Sequence, residues 1–151
     1  MSPHKMENAF FDFDEVFEVR KKESDEFYDE IQKDFNCEDE KNVQRQAFAG
    51  LLWNKQFYHY KVGKWLNGDP NFPVERNFEH HVRNVEWKHM NCKDIITMPD
   101  KWEYPWFATW DLAFHCVSFS ILDPNFAKNQ LQLLTKEWYM HPNGQLPAYE
   151  W

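Results

Sequence analysis

Apolar residues return at helical spacing along most of the chain, and breaks in that spacing divide it into elements. Phe13, Val16 and Phe17 share one helical face, and Phe27, Ile31 and Phe35 recur at i, i+4 and i+8, so the first forty residues predict a short helix and a longer amphipathic one. After a polar connection at Asn36 to Lys41, Val43, Ala47, Leu51, Tyr58, Val62 and Trp65 fall on one face, with Phe48 and Leu52 beside it. That pattern predicts one long helix, stopped at Asn67-Gly68-Asp69-Pro70. Asn67 to Pro99 has little period and much turn chemistry, and within it Cys92 to Met98 fits either a helical turn or a strand. Leu112 to Leu122 is apolar on every side, which predicts a helix buried all round. Leu122-Asp123-Pro124 is a tight junction in which Asp123 caps the next helix and Pro124 takes its first position. Ala127, Leu131, Leu134 and Trp138 then give a half-exposed amphipathic helix, and the pair makes an αα-hairpin. The expected class is all-α.

One stretch organises the chemistry. In Met98 to His115, a loop with three tryptophans, a tyrosine, a phenylalanine and two prolines delivers one acid, Asp111, to the mouth of the apolar helix. Flat aromatic faces suit the C–H side of a pyranose, and rings that exclude water favour the protonated form of a carboxyl group. Glycoside cleavage needs one such proton-donating carboxyl among two. The helix dipole opposes it, favouring the ionised form in the first turn. Spacing alone therefore leaves two readings of Asp111 open: a catalytic acid, or a cap on the helix, a role that Thr109 could share.

Trp110-Asp111 followed by Phe114-His115 resembles the Trp-Asp-x-x-Phe-His signature of glycoside hydrolase family 63, the processing α-glucosidases, whose aspartate at this place is the general acid. Gln46-Ala-Phe-Ala-Gly-Leu-Leu-Trp-Asn-Lys-Gln-Phe-Tyr58 and Asn143-Gly-Gln-Leu-Pro-Ala-Tyr-Glu-Trp151 are similar to segments flanking that signature in bacterial and fungal members. The likeness runs from about Asn42 to Trp151, and departs at Leu112-Ala113, where the eukaryotic processing enzymes show Glu-Gly. It implies an inverting α-glucosidase acting on oligosaccharides, built on an (α/α)6 toroid of six helical hairpins. Asp111 is then the catalytic acid, the base lies beyond Trp151, and neither metal nor organic cofactor is required. Trp102, Tyr104, Trp106, Phe107, Trp110, His115, Tyr149 and Glu150 become candidates for holding the sugar, once His141-Pro-Asn-Gly144 has turned the chain back toward the mouth. Glu150, the nearest second carboxylate by motif, fits a sugar-hydroxyl acceptor better than the base in that family. Such a toroid needs several hundred residues, so 1–151 is expected to be part of one catalytic domain, with 1–40 an acidic helical lead-in and 41–151 the family-like portion.

Composition narrows the partners. With 28% charged residues and a net charge of −8, the chain has no basic patch for nucleic acid. Glu23, Asp25, Glu26, Asp29 and Glu30 lack ligand spacing and are expected to form a solvated face. His80, His81 and His89 match no common zinc spacing, and Arg83, Trp87 and His89 fit a long loop over the barrel mouth. Arg45, Gln46, Lys55 and Tyr58 are polar positions within reach of a substrate, without an independent signal. Three cysteines, far apart, indicate reduced thiols rather than a disulfide framework. No leader or membrane span is visible, and the expected compartment is the cytoplasm.

Two other classes use the same residues: a carbohydrate-binding helical module that does not cleave, and a helical interaction protein in which Trp and Leu are hairpin core. No repeat at a fixed 34- to 47-residue period supports the latter. An incomplete toroid leaves inner faces in water, so residues 1–151 alone are expected to aggregate or stay partly molten. A sharp cooperative melt from a monomer in sedimentation and calorimetry would refute that expectation.

Overall fold

The structure, a computed structural model, describes residues 10–71, 86–103 and 106–148. It is mostly helical, 57%, with a small two-stranded antiparallel sheet, which corrects the all-α expectation. The described elements are α1 (Phe13–Ile31), α2 (Glu38–Trp53), β1 (Lys55–Lys61), α3 (Val62–Asn67), β2 (Asn91–Thr97), α4 (Thr109–Leu122) and α5 (Pro124–Leu134), followed by a 3-10 turn at Glu137–Tyr139. They fall into two compact units, Met1–Arg45 and Gln46–Trp151, divided within α2.

In the first unit the two expected helices are one. Glu18-Val19-Arg20 contains no glycine or proline, and nothing there stops propagation. Glu23, Glu26 and Glu30 pair with Arg20, Lys22 and Lys33 on the surface, the solvated face foreseen. Such pairs add only a few tenths of a kcal/mol each. Helix α1 is tied to the start of α2 by Arg45, which lies 2.7 Å from Asp25 and 4.7 Å from the Tyr28 ring centre, and by Gln32, whose amide donates to the Lys41 carbonyl.

In the second unit the long helix expected through Trp65 ends at Trp53. Burial alternates along Lys55-Gln-Phe-Tyr-His-Tyr-Lys61, and its rings pack better on a pleated sheet than against a preceding helical turn. Strand β1 pairs with β2 from Lys55↔Thr97 to Lys61↔Asn91, so the segment left open between helical turn and strand is strand from Cys92 to Thr97, with Met98 just beyond it. Helix α3 stops where expected, at Gly68, whose φ of 68° suits glycine.

The outer edge of β2 is closed by a side chain. Gln130 of α5, buried, accepts from the Thr97 N–H at 3.0 Å and donates to the Ile95 carbonyl at 2.9 Å, standing where a third strand would stand. Helices α4 and α5 form the expected hairpin. Asp123 accepts from the Phe126 N–H, with Pro124 at the first helical position. Lys55 joins sheet to hairpin, 2.7 Å from Asp123 and 4.1 Å from the Phe126 ring centre. The core of this unit is Val62, Leu66, Trp87, Met90, Ile96, Met98, Phe107, Leu112, Phe119, Leu122 and Leu133. All three cysteines are free, and burial pushes the Cys92 thiol up to about 12. No described helix is long and apolar enough to cross a membrane.

Helix α4 is not buried all round. Leu112, Cys116, Phe119 and Leu122 face the core, while Trp110, Phe114, Val117 and Ile121 are exposed. Among the described elements α4 packs mainly against α5 and β2, which cover only one side of it.

The Lys55 ammonium and the Phe126 N–H hold the Asp123 carboxyl below its ordinary 3.8. A carboxylate with a depressed folded pKa contributes stability above its unfolded value, and loses it as pH falls through the folded one. Asp123→Asn should therefore lower Tm at pH 7, costing about 1 kcal/mol because the side chain is partly exposed. The same variant should show a flatter acid limb below about pH 4 in melts of the protein expressed from its full reading frame. Parallel wild-type and variant acid limbs would contradict this account.

Candidate active site

The first turn of α4 is built without a side-chain cap. Ala108, in extended conformation, precedes it, and Thr109 turns its hydroxyl away to the Pro147 carbonyl at 2.7 Å. The Thr109 N–H bonds to the same carbonyl, so one of the orphan donors at the helix start is satisfied from 38 residues away. Asp111, third in the helix, caps nothing among the described residues. Its Oδ2 is buried and has no hydrogen-bond partner there. A buried carboxylate oxygen without a donor is costly, commonly 1–3 kcal/mol or more, and such groups recur where chemistry uses them. Of the two readings left open by spacing, the cap is the one that lacks a bond.

One turn on, His115 lies on the same flank of α4. Its Nδ1 is 2.7 Å from the Thr97 hydroxyl at the end of β2, which Gln130 fixes through the Thr97 N–H. Burial pushes the imidazole pKa down and the neighbouring Asp111 charge pulls it back only in part. The ring is therefore neutral at pH 7, anchored through Nδ1, while Nε2 has no hydrogen bond among the described residues.

The aromatic residues divide. Trp110 is exposed and packs edge-on against Phe114, with ring centres 6.3 Å apart. Trp102 is 87% exposed, on a turn in which Asp100 accepts from the Trp102 and Glu103 N–H groups. Trp106 is half-buried. Phe107, expected against the sugar, is fully buried and packs edge-on against Tyr139, so it supports the floor instead of offering a face. Trp87, expected on a loop over the mouth, is a core ring packed against His141. Tyr104, Tyr149, Glu150, His80, His81 and Arg83 lie outside the described residues. Arg45 and Lys55 are engaged with Asp25 and Asp123.

The return of the chain is as expected up to Ala148. The Gly144 N–H donates to the His141 carbonyl, the His141 N–H to the Gln145 carbonyl, and Gly144 has a φ of 87°. That turn delivers Pro147 to the start of α4. His89 donates from Nε2 to the Met140 carbonyl, and no group of three potential ligands gathers around a metal position among the described residues. A cleft of about 440 Å³ lies between β2 and α5, lined by Lys55, Asp94, Asn129, Gln130 and Lys136, but it does not include Asp111. Its polar groups Lys55, Asp94 and Gln130 are already bonded to Asp123, Tyr139 and the β2 backbone.

Sequence reasoning missed Thr97, Gln130 and Pro147. Pro147 lies in the segment Asn143 to Trp151 quoted for the resemblance, but Thr97 and Gln130 sit in no motif, and each of the three acts through a group set by the tertiary fold. The sole local hint is Thr97, at the end of the run Asn91-Cys-Lys-Asp-Ile-Ile-Thr97 with its β-branched finish.

No family profile matches the chain, and no solved structure does. Over 141 residues it is 54% identical to the uncharacterized protein YMR196W of Saccharomyces cerevisiae. That alignment covers 93% of this chain and 13% of the yeast protein, so the chain spans about an eighth of the length of the curated relative it matches.

The coupling of Asp111 to His115 is directly measurable. In a proton NMR titration the His115 ring should titrate below 6.5, and Asp111→Asn should lower its pKa further by removing the one charge that raises it. An unchanged or raised value in the variant would separate the two residues.

Proposed function

We propose that the chain is the acid-bearing part of a glycoside hydrolase, an inverting α-glucosidase-like enzyme acting on oligosaccharides, within an (α/α)6 toroid. The observation that carries this reading is the Asp111 carboxylate. It stands in the first turn of α4 with a buried oxygen that accepts no bond among the described residues, beside a neutral histidine and an exposed tryptophan. The α4–α5 hairpin is the repeating unit such a toroid requires, and supports the architecture.

In the proposed reaction Asp111 gives its proton to the leaving glycosidic oxygen as the C–O bond breaks. A carboxylate base outside residues 1–151 takes a proton from the attacking water on the opposite face of the ring. The two carboxyls of an inverting site stand roughly 6.5–9.5 Å apart, to leave room for that water. Trp110 and Trp102 offer the sugar flat faces, and His115, held at Nδ1 by Thr97, presents Nε2 to a hydroxyl. Without the base, residues 1–151 by themselves do not turn over.

The test is an assay of the full reading frame on α-linked glucosyl and mannosyl oligosaccharides, following the anomer released by NMR. Inversion in the parent is expected, with kcat lowered at least about 1,000-fold in Asp111→Asn and sugar binding retained. Equal turnover in parent and variant would return Asp111 to a structural role. Binding without turnover in the parent would select the carbohydrate-binding module.

A further inference from the structure

Gln130 closes the outer edge of β2, and the register of the ladder says what that leaves on β1. In an antiparallel pair each residue sends its N–H and C=O to one side, and the next residue sends them to the other. The Thr97 N–H and the Ile95 carbonyl point away from β1, toward Gln130. Their partners across the ladder, Lys55 and Phe57, therefore point away from β2, and so, two residues on, does His59. The ends of the ladder agree: the Met98 N–H donates to the Asn54 carbonyl and the Val62 N–H to the Met90 carbonyl, so the even-numbered positions are the ones bonded between the strands. The backbone groups of Phe57 and His59 thus form an edge to which no third strand is bonded among the described residues.

The face beside that edge has its own chemistry. Phe57, His59 and Lys61 stand on it, with Asn91, Lys93 and Ile95 across the ladder, while Cys92 and Ile96 on the opposite face are buried. Phe57 and Ile95 are 63% and 55% exposed, and His59, Lys61 and Lys93 are exposed beside them. In a chain of net charge −8, this face sets two ammonium groups and an imidazole around two apolar side chains, and carries no carboxylate.

Edge and face together narrow the occupant. Backbone donors and acceptors in a row are matched by another extended backbone, and lysines by carboxylates. Lysine on an edge strand also discourages accidental pairing, a guard that an edge covered for good by its own chain does not need and an edge left open between encounters does. A second β1 would set Lys55 and Lys61 against the same two lysines, and residues 72–85 balance two glutamates with two arginines, so neither supplies the complement. We infer that the outer edge of β1 docks an extended acidic segment of a separate protein. The segment adds as a third strand, with an apolar side chain beside Phe57 and carboxylates beside His59 and Lys61; Lys93, one strand further in, adds to the same field. The inference makes no use of Asp111 and stands apart from the proposed reaction.

The test is amide hydrogen exchange, resolved to single residues by mass spectrometry with electron-transfer fragmentation, on the protein expressed from its full reading frame and shown to be monomeric by sedimentation. The probe is a seven-residue peptide, as long as β1, in which threonine alternates with two glutamates and then a valine. Without it, the Phe57 and His59 amides should exchange at least ~10-fold faster than those of Tyr58 and Tyr60, which are bonded in the ladder. With the peptide at ~1 mM, both should slow at least ~10-fold. The double variant Lys61→Glu, Lys93→Glu should weaken binding at least ~10-fold, and a peptide with lysines in place of its glutamates should bind that variant instead, which keeps the result readable as charge rather than misfolding. Slow exchange at Phe57 and His59 in the monomer without peptide would overturn the inference, since the edge would then be covered by its own chain. So would the absence of slowing at ~1 mM. Equal binding of a peptide N-methylated along its bonding edge would overturn it too, since the lysines would then be holding an anion and not a strand.

Discussion

The carboxamide of Gln130 is the interaction on which the second unit depends. A two-stranded ribbon is marginal in water, and β2 would otherwise show a row of unpaired backbone groups to the hairpin packed beside it. One amide, with a donor and an acceptor in a single plane, satisfies the Thr97 N–H and the Ile95 carbonyl together. Because Gln130 sits on α5, the bond also fixes the height of the hairpin against the strand. Thr97 is held by its nitrogen, its hydroxyl meets His115, and His115 stands one turn from Asp111. Precision at the acid thus begins three residues away from it.

Lys55 supplies a second tie of different chemistry. Its ammonium meets Asp123 and lies over the Phe126 and Phe119 rings, so a charge is brought into a largely apolar junction with its partner present. The bend between the two helices is fixed from inside by the Phe126 N–H and from outside by the strand.

The hairpin was legible because its signals are local: an apolar run, a capping aspartate and a proline at the first helical position; the face of α5 was not, since it ends at Leu134 and buries Ala127, Gln130 and Leu133 while Leu131 is exposed. The turn at His141 to Gly144 was legible for the same reason. What failed was decided by competition. Lys55 to Lys61 continues a helical pattern as well as a strand pattern, and pairing with β2, thirty residues later, tips the balance. Apolar residues on every side of Leu112 to Leu122 predict a surrounded helix, but such a pattern says only that every side tolerates burial, and one side of α4 is exposed. Phe107 and Trp87 sit in aromatic text that suits a sugar site, yet both pack inside, since composition does not say which rings turn inward. Asp111 was legible as a position; its missing hydrogen bond was not, because it depends on where neighbouring donors go, and the Ala108 N–H goes to the Trp106 carbonyl.

The Pro147 carbonyl that receives both Thr109 groups has a consequence in time. During synthesis the residues of α4 leave the ribosome well before residue 147, and until then the start of the helix has two donors facing water. Closing a loop of that length costs chain entropy that short contacts do not, so the two bonds that tie down the first turn, the one bearing Asp111, cannot form until residue 147 has been made and brought back. The hairpin can form early from its own local contacts, whereas the acid reaches its final surroundings only after the downstream turn around Gly144 has folded back.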